Sequence, residues 1–120
     1  MPKTRETPGR KSPSRPGLYI MLALVDGARH GYAIKQEVEE RASGLIRLGP
    51  GTLYETIQRL EEAGLIEEAE PAEPVNGQEA QRRYYELTDR GWSTLNDEVR
   101  QLGQLVDYAR SNPRLRKGLA

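Results

Sequence analysis

The sequence GPGTLYETIQRLEEAGLI, residues 49–66, contains the helix on which the fold assignment depends. Leu53, Ile57 and Leu60 recur at helical spacing, so they lie on one face. The proline at position 50 and the glycine at position 64 are typical of a helix start and of the residue past its end. Thr52 and Glu55 also fit a capping box, which leaves the start open by about two residues. We predict a helix to about residue 63, whose outward side carries Gly51, Glu55, Gln58, Arg59 and Glu62, bordered by Thr52 and Tyr54.

Two further helical segments precede this one. Residues 18–25, LYIMLALV, are apolar almost all round and favour a short buried helix. Residues 30–42 carry a narrow apolar stripe and predict a second helix, with His30 at its start rather than as a ligand or a base. Residues 45–48 alternate in polarity and fit a small strand. A second and a third helix joined by a short turn indicate a helix-turn-helix.

A hairpin follows the third helix. Residues 65–69 and 81–87 are typical of strands, and a turn-rich segment with two prolines and an Asn-Gly pair joins them. This segment is long for a tight hairpin, so we expect a mobile tip. Placed after a helix-turn-helix, the hairpin is a two-stranded wing that brings Arg82 and Arg83 close to a phosphate backbone. Because strand residues alternate between faces, one of these arginines is expected to face the covered side or pair with a glutamate, and one of Tyr84 and Tyr85 to pack in the core.

The last predicted helix begins after Thr88, a good N-cap, and ends near Ser111. Its apolar positions are spaced 3, 4, 3, 4, 3, an a/d heptad pattern. At about 1.5 Å per residue the helix is too long for so small a domain to cover, which favours a partner chain. The predicted dimerisation residues are Trp92, Leu95, Val99, Leu102, Leu105, Val106 and Ala109. Packing on the helix's own domain is the alternative for Trp92 and Leu95, and an effector-pocket wall is another for Trp92.

The amino-acid composition excludes several classes of functional site. The chain has 120 residues, 18 basic and 18 acidic, which suits one domain of zero formal net charge. With no cysteine and one histidine, disulfides, thiolate sites and poly-histidine metal sites are excluded. No apolar run is long enough for a membrane span, so we expect a cytoplasmic protein without membrane contact. No residue pattern indicates a catalytic site, so we predict neither enzyme activity nor a cofactor.

Four segments make up the predicted organisation. Residues 1–17 are a flexible basic arm, 18–87 a winged-helix DNA-binding domain, 88–111 the dimerisation helix, and 112–120 a tail. The arm holds five basic residues and one glutamate, a net charge of +4. It is either an inert tail or an arm that reaches phosphates.

Four motifs, in order, resemble the PadR (phenolic-acid-decarboxylase regulator) family over about residues 18–110. They are LAL at 22–24 with HGYAI at 30–34, GTLY at 51–54, LEEAGLI at 60–66, and RYYELTDRG at 83–91. The resemblance implies a winged-helix transcriptional regulator of the short subgroup, with one helix after the wing. It further implies a homodimer, usually a repressor.

The resemblance also implies which residues meet DNA. Thr52, Tyr54 and Arg59 would face the major groove, with Gly51 allowing close approach, while Tyr32, Arg82 and Arg83 would contact or frame phosphates. The outward position of Gln58 adds it to the base-facing set. For Tyr54 the alternative is packing beside the core, and for Arg59 a pair with Glu55 or Glu62.

The chain departs from the family pattern in two places. The wing loop is acidic, with Glu70, Glu73 and Glu79, which weakens the expected binding of the wing to phosphates. Phosphate contacts are then expected from the N-terminal arm instead. The middle of the last helix is aliphatic at Leu102 and Leu105, which argues against a drug sandwiched between aromatic rings.

The function predicted from these features is sequence-specific binding of double-stranded DNA. A homodimer would repress transcription from a pseudo-palindromic operator with half-sites about one helical turn apart. A small-molecule effector near the last helix would relieve it. The alternative is a winged-helix protein-interaction module that dimerises but does not read DNA sequence, which the balanced charge and the acidic wing favour.

Overall fold

The computed structural model describes residues 12–71 and 73–115. Within this part, α1 (Arg15–Ala23), α2 (Gly31–Arg41) and α3 (Pro50–Glu62) come first, with a short strand β1 (Arg29–His30) between α1 and α2. Strand β2 (Ile66–Ala69), a 3₁₀ turn (Gly77–Gln81), strand β3 (Tyr84–Leu87) and the long helix α4 (Asp89–Arg110) follow. The predicted class, a mainly helical winged helix with a long C-terminal helix, is confirmed. Most of the predicted arm, residues 1–11, lies outside the described residues, as does 116–120 of the predicted tail.

The sheet is antiparallel in the order β1-β3-β2. The predicted hairpin is present, since β2 pairs with β3 from Ile66 opposite Leu87 to Ala69 opposite Tyr84. We call β2, β3 and the residues between them the wing. The third strand, β1, pairs His30 with Tyr84, so the start of α2 is tied directly to the wing.

The predicted strand at residues 45–48 is wrong, because this segment forms no strand. Its alternation comes from Ile46, which packs against the core, and Leu48, which is buried in it. The backbone N–H of Leu48 donates to Oε2 of Glu39 at 3.1 Å rather than to a neighbouring strand. The segment is the extended entry to α3.

The predicted boundary between arm and domain at residue 17 is also wrong, because α1 begins at Arg15. The Ser14 hydroxyl accepts from the backbone N–H of Gly17 at 3.1 Å and caps the helix. Pro16 lies in the first turn, where the ring is tolerated because the first amide groups need no intrahelical acceptor. Proline and serine, which suggested an unfolded arm, here start a helix.

The core lies between the first three helices, the sheet and the first turns of α4. The largest fully buried side chains of the described residues are mostly aliphatic. They are Ile20, Met21, Leu24, Ile34, Val38, Leu48, Ile57 and Ile66. Leu53 and Leu60 of α3 also belong to this cluster, so the predicted buried face of α3 is confirmed and its polar side points away from the domain.

The first turn of α4 is anchored on the turn between α3 and β2. The hydroxyl of Thr88 donates to the carbonyl of Gly64 at 2.6 Å and accepts from the N–H of Gly91 at 3.0 Å. The Cβ of any side chain at position 91 would clash with the carbonyl oxygen of Leu65. Glycine at this position therefore permits the close approach that fixes the direction of α4. The predicted cap and both ends of this helix are confirmed.

Candidate nucleic-acid interface

The outward side of α3 is exposed along its whole length. Gly51, Thr52, Tyr54, Gln58 and Arg59, all predicted to face DNA, are exposed there. Two glutamates share this side, since Glu55 pairs with Arg59 (Nη2 to Oε2, 3.4 Å) and Glu62 accepts from Gln58 Nε2 at 3.4 Å. We call these seven residues the outer face of α3. The predicted capping box is not used, because Gly49 is the N-cap and Thr52 lies within the helix.

Tyr54 lies against the start of α2. A Cβ added at Gly31 would be 2.6 Å from the Tyr54 hydroxyl and 3.0 Å from its ring, so glycine leaves room for this side chain. Tyr54 is still 53% exposed. Both interpretations considered for it therefore apply, because one edge of the ring packs on the domain and the rest of the side chain faces solvent. Sequence reasoning missed Gly31, whose role depends on the packing of α2 against α3.

Arg82 and Arg83 lie before β3 rather than in it, so the prediction that the strand begins at residue 81 is wrong. The 3₁₀ turn extends to Gln81, and β3 begins only at Tyr84. Both arginines are exposed. The Arg83 Nε lies 3.5 Å from Oε2 of Glu68 on β2, which fits the expected pairing of one arginine with a glutamate.

Arg82 points back to the start of α2. Its Nη1 lies 3.2 Å from both ring nitrogens of His30, and its guanidinium carbon lies 5.9 Å from the centre of the Tyr32 ring. The distance to the ring is within the range of a cation–π contact. Arg82 and Tyr32, placed together by the family resemblance as phosphate-side residues, are therefore neighbours in space although 50 positions apart.

His30 joins these elements. Its Nδ1 accepts from the backbone N–H of Ala33 at 3.1 Å and caps α2, so the predicted helix-start role is confirmed. The neutral ring therefore carries its proton on Nε2. Its edge packs on Tyr84 with ring centres 5.3 Å apart. Burial and the charge of Arg82 lower the pKa of His30 below its usual value, and Glu79 opposes the shift.

Together these side chains line a groove of about 440 Å³ between α2, α3 and the wing. Its walls are His30, Gly31, Tyr32, Tyr54, Arg82, Arg83 and Tyr85. Four of the predicted DNA-binding residues, Tyr32, Tyr54, Arg82 and Arg83, meet here. The other four, Gly51, Thr52, Gln58 and Arg59, lie next to the groove along the outer face of α3. The arrangement offers two cations and three tyrosine rings beside a helix that fits the major groove.

The predicted dimerisation residues divide into two sets. Leu95 is only 4% exposed and belongs to the core of its own chain, and Leu102 packs partly against that core. Trp92, Val99, Leu105 and Val106 are exposed, and Ala109 is partly exposed. The alternative of packing on the same domain thus fits Leu95, whereas Trp92 faces outward.

Residues 12–71 and 73–115 contain neither a metal-binding cluster nor a membrane-spanning helix. No three acidic, histidine or cysteine residues of this part come together in a way that fits a metal ion. None of its helices is both long and apolar enough to cross a membrane.

A helix-turn-helix followed by an antiparallel wing defines a winged-helix protein. The chain belongs to the Transcriptional regulator PadR-like family, whose model matches residues 20–97. This family consists of transcriptional regulators rather than enzymes.

Three relatives illustrate the match. Transcriptional regulator Rv3488 of Mycobacterium tuberculosis is 34% identical over 89 residues, which cover 74% of this chain and 77% of the relative. A 37.1 kDa transposon protein of Streptomyces fradiae is 35% identical over 88 residues. The matched residues make up 73% of this chain but only 23% of that longer protein. The crystal structure of a PadR family transcription regulator from Clostridium difficile is 26% identical, with a TM-score of 0.64 over 82% of this chain and 96% of that one.

Proposed function

We propose that this chain binds operator DNA as a homodimer and represses transcription in the cytoplasm, where it has access to the chromosome. The observation that carries the proposal is the position of the groove with Arg82 and Arg83 directly beside the outer face of α3. A helix of this kind fits the major groove, while cations at its flank meet the phosphate backbone.

The wing arginines are available to phosphates although each has a partner in the free chain. The Arg83–Glu68 pair is exposed on both sides, and such pairs contribute only about 0–1 kcal/mol. Arg82 contacts a neutral histidine and an aromatic ring, neither of which neutralises its charge. Exchanging these contacts for phosphate oxygens therefore costs little.

The homodimer is supported by the second half of α4. Every residue from 103 to 108 is exposed, and three of them, Leu105, Val106 and Tyr108, are large and apolar or aromatic. A helix of 22 residues is about 33 Å long, and contact with the chain's own core reaches only as far as Leu102. A second copy covering this stripe would present two α3 helices related by a two-fold axis, which suits a pseudo-palindromic operator.

Control by an effector belongs to the same proposal. α1 and α3, which share the core, pack on each other, and α1 also packs on α4. A small molecule bound beside α4 would therefore reposition α3, but only as far as it prefers one arrangement of the dimer. Repression follows if the bound dimer covers a promoter, and release follows if the effector favours the arrangement that fits DNA poorly.

Fluorescence anisotropy with labelled duplex tests the proposal. The duplex upstream of the protein's own gene is compared with a scrambled duplex at two salt concentrations. We expect preference for the native duplex and affinity that falls steeply with salt, because each neutralised phosphate releases counterions. Arg82→Ala should weaken binding to both duplexes, whereas Arg100→Ala, which removes the same charge from α4, should not.

The protein-interaction alternative keeps one specific observation in its favour. Glu67 of β2 lies directly opposite Glu86 of β3, so one face of the wing presents two adjacent carboxylates, which phosphates would repel. If equal, salt-insensitive and weak binding to both duplexes is found with folded protein, this alternative replaces DNA recognition.

A further inference from the structure

The outer face of α3 has a carboxylate at its centre. Leu53, Ile57 and Leu60 mark the buried side of the helix. At 3.6 residues per turn, Glu55 projects almost opposite that buried side. Its side chain is 64% exposed, so a DNA surface that binds the outer face of α3 comes close to Glu55.

A carboxylate in this position opposes DNA binding unless the DNA offers it a hydrogen-bond donor. The phosphates on both sides of the major groove repel it. Of the base edges in that groove, the exocyclic amine of cytosine is the donor that glutamate characteristically accepts from. Adenine also presents an amine there, but next to an acceptor nitrogen that suits an amide side chain rather than a carboxylate.

Arg59 reduces the repulsion between Glu55 and the DNA phosphates. Its Nη2 lies 3.4 Å from Oε2 of Glu55, one turn earlier in the helix, so the charge of the carboxylate is offset as the helix approaches DNA. The pair is exposed, with Arg59 73% accessible, and such pairs separate at little cost. The two residues are about 6 Å apart along the helix, or about two base-pair steps.

We propose that Glu55 is a specificity-determining residue that accepts a hydrogen bond from the N4 amine of a cytosine in each operator half-site. Arg59 holds the carboxylate on the groove side until the contact forms. This inference rests on the proposed DNA-binding function and adds to it the identity of one base pair and the side chain that reads it.

Selection of bound sequences from a randomised duplex library tests the assignment. Wild-type protein should enrich half-sites with one fixed C·G pair. Glu55→Ala should still enrich a site but lose the preference at that pair, by about tenfold in relative affinity. Glu55→Gln should shift the same position toward A·T, because an amide pairs with the edge of adenine.

Glu40→Gln is the matched control. It removes the same charge from an exposed position of α2, outside the outer face of α3. It should raise affinity for all sequences alike and leave the enriched half-site unchanged. If Glu55→Ala and Glu55→Gln behave like this control, Glu55 reads no base and the assignment is overturned.

The library also separates this assignment from the function on which it rests. If wild-type protein enriches a site and the Glu55 variants enrich the same one, only the reading by Glu55 fails. If folded wild-type protein enriches no sequence, sequence-specific DNA binding itself fails, and the assignment fails with it.

Discussion

At the scale of single residues, His30 links three parts of the interface through one ring. Nδ1 caps α2, the ring edge packs on Tyr84, and Arg82 lies against both nitrogens. The cap on α2 and the contact with Arg82 both favour the neutral ring. Protonation would put a hydrogen on Nδ1, remove the acceptor that caps the helix, and place two cations in contact.

This arrangement predicts a pH dependence of stability. Burial, first, and Arg82, second, lower the pKa of His30 in the folded chain, while Glu79 opposes them. The unfolded chain therefore binds a proton near pH 6.5 that the folded chain does not bind. The contribution is fully present above about pH 6.5 and falls as the pH drops, until the pH is below the folded pKa.

Urea unfolding between pH 7.5 and 5 measures the effect. The free energy of unfolding should fall with pH by at most about 1.4 kcal/mol per unit from this group. His30→Asn is the control, since asparagine caps helices well and does not titrate. A variant with the same pH slope as the wild type would show that His30 is not responsible.

At the scale of elements, the direction of α4 depends on contact between two backbones. Gly91→Ala would bring a Cβ against the Leu65 carbonyl, which is backbone and cannot move aside as a side chain can. We expect a loss of about 1–3 kcal/mol in the free energy of unfolding.

Gly103→Ala in the same helix is the matched comparison, because nothing lies within 4 Å of its added Cβ. Alanine there should stabilise the helix by up to about 1 kcal/mol. Thermal unfolding of both variants gives the answer. Equal effects would mean that the close approach at Gly91 does not constrain α4.

The elements also show what sequence could and could not predict. α3 and α4 were predictable within about two residues, because their apolar spacing, Pro50 and the cap Thr88 are local signals. Strand β1 was not, since its two residues form a strand only by pairing with β3, some 55 positions later. The alternation at residues 45–48 gave a wrong prediction for the same reason, since none of the strands that the structure describes pairs with this segment.

The candidate site divides in the same way. The exposure of the outer face of α3 follows from helical periodicity, so Thr52, Gln58 and Arg59 were predictable from spacing alone. The groove was not, because it depends on contacts such as Arg82 with His30, across 52 positions. Leu95 fits the heptad but packs in the core of its own chain, which is the alternative that the spacing left open.

At the scale of the whole molecule, the proposed function requires a second copy of the chain that covers α4. Leu105 is 61% exposed in the single chain, so Leu105→Glu should leave the domain folded. In a dimer it would bury a charge against the apolar stripe, which is costly without a partner. Light scattering should then show monomers. Gln104→Glu adds the same charge at the adjacent exposed position, which lies off the apolar stripe of the helix. It should leave the dimer intact.

The mass of the protein bound to a duplex, measured by analytical ultracentrifugation, tests the central claim most directly. The duplex is the one preferred in the library selection, used at low and moderate salt. We predict two chains bound to each duplex in a single step, with Leu105→Glu binding far more weakly. One chain per duplex, or no complex at either salt with folded protein, would contradict the claim that this chain is a dimeric DNA-binding regulator.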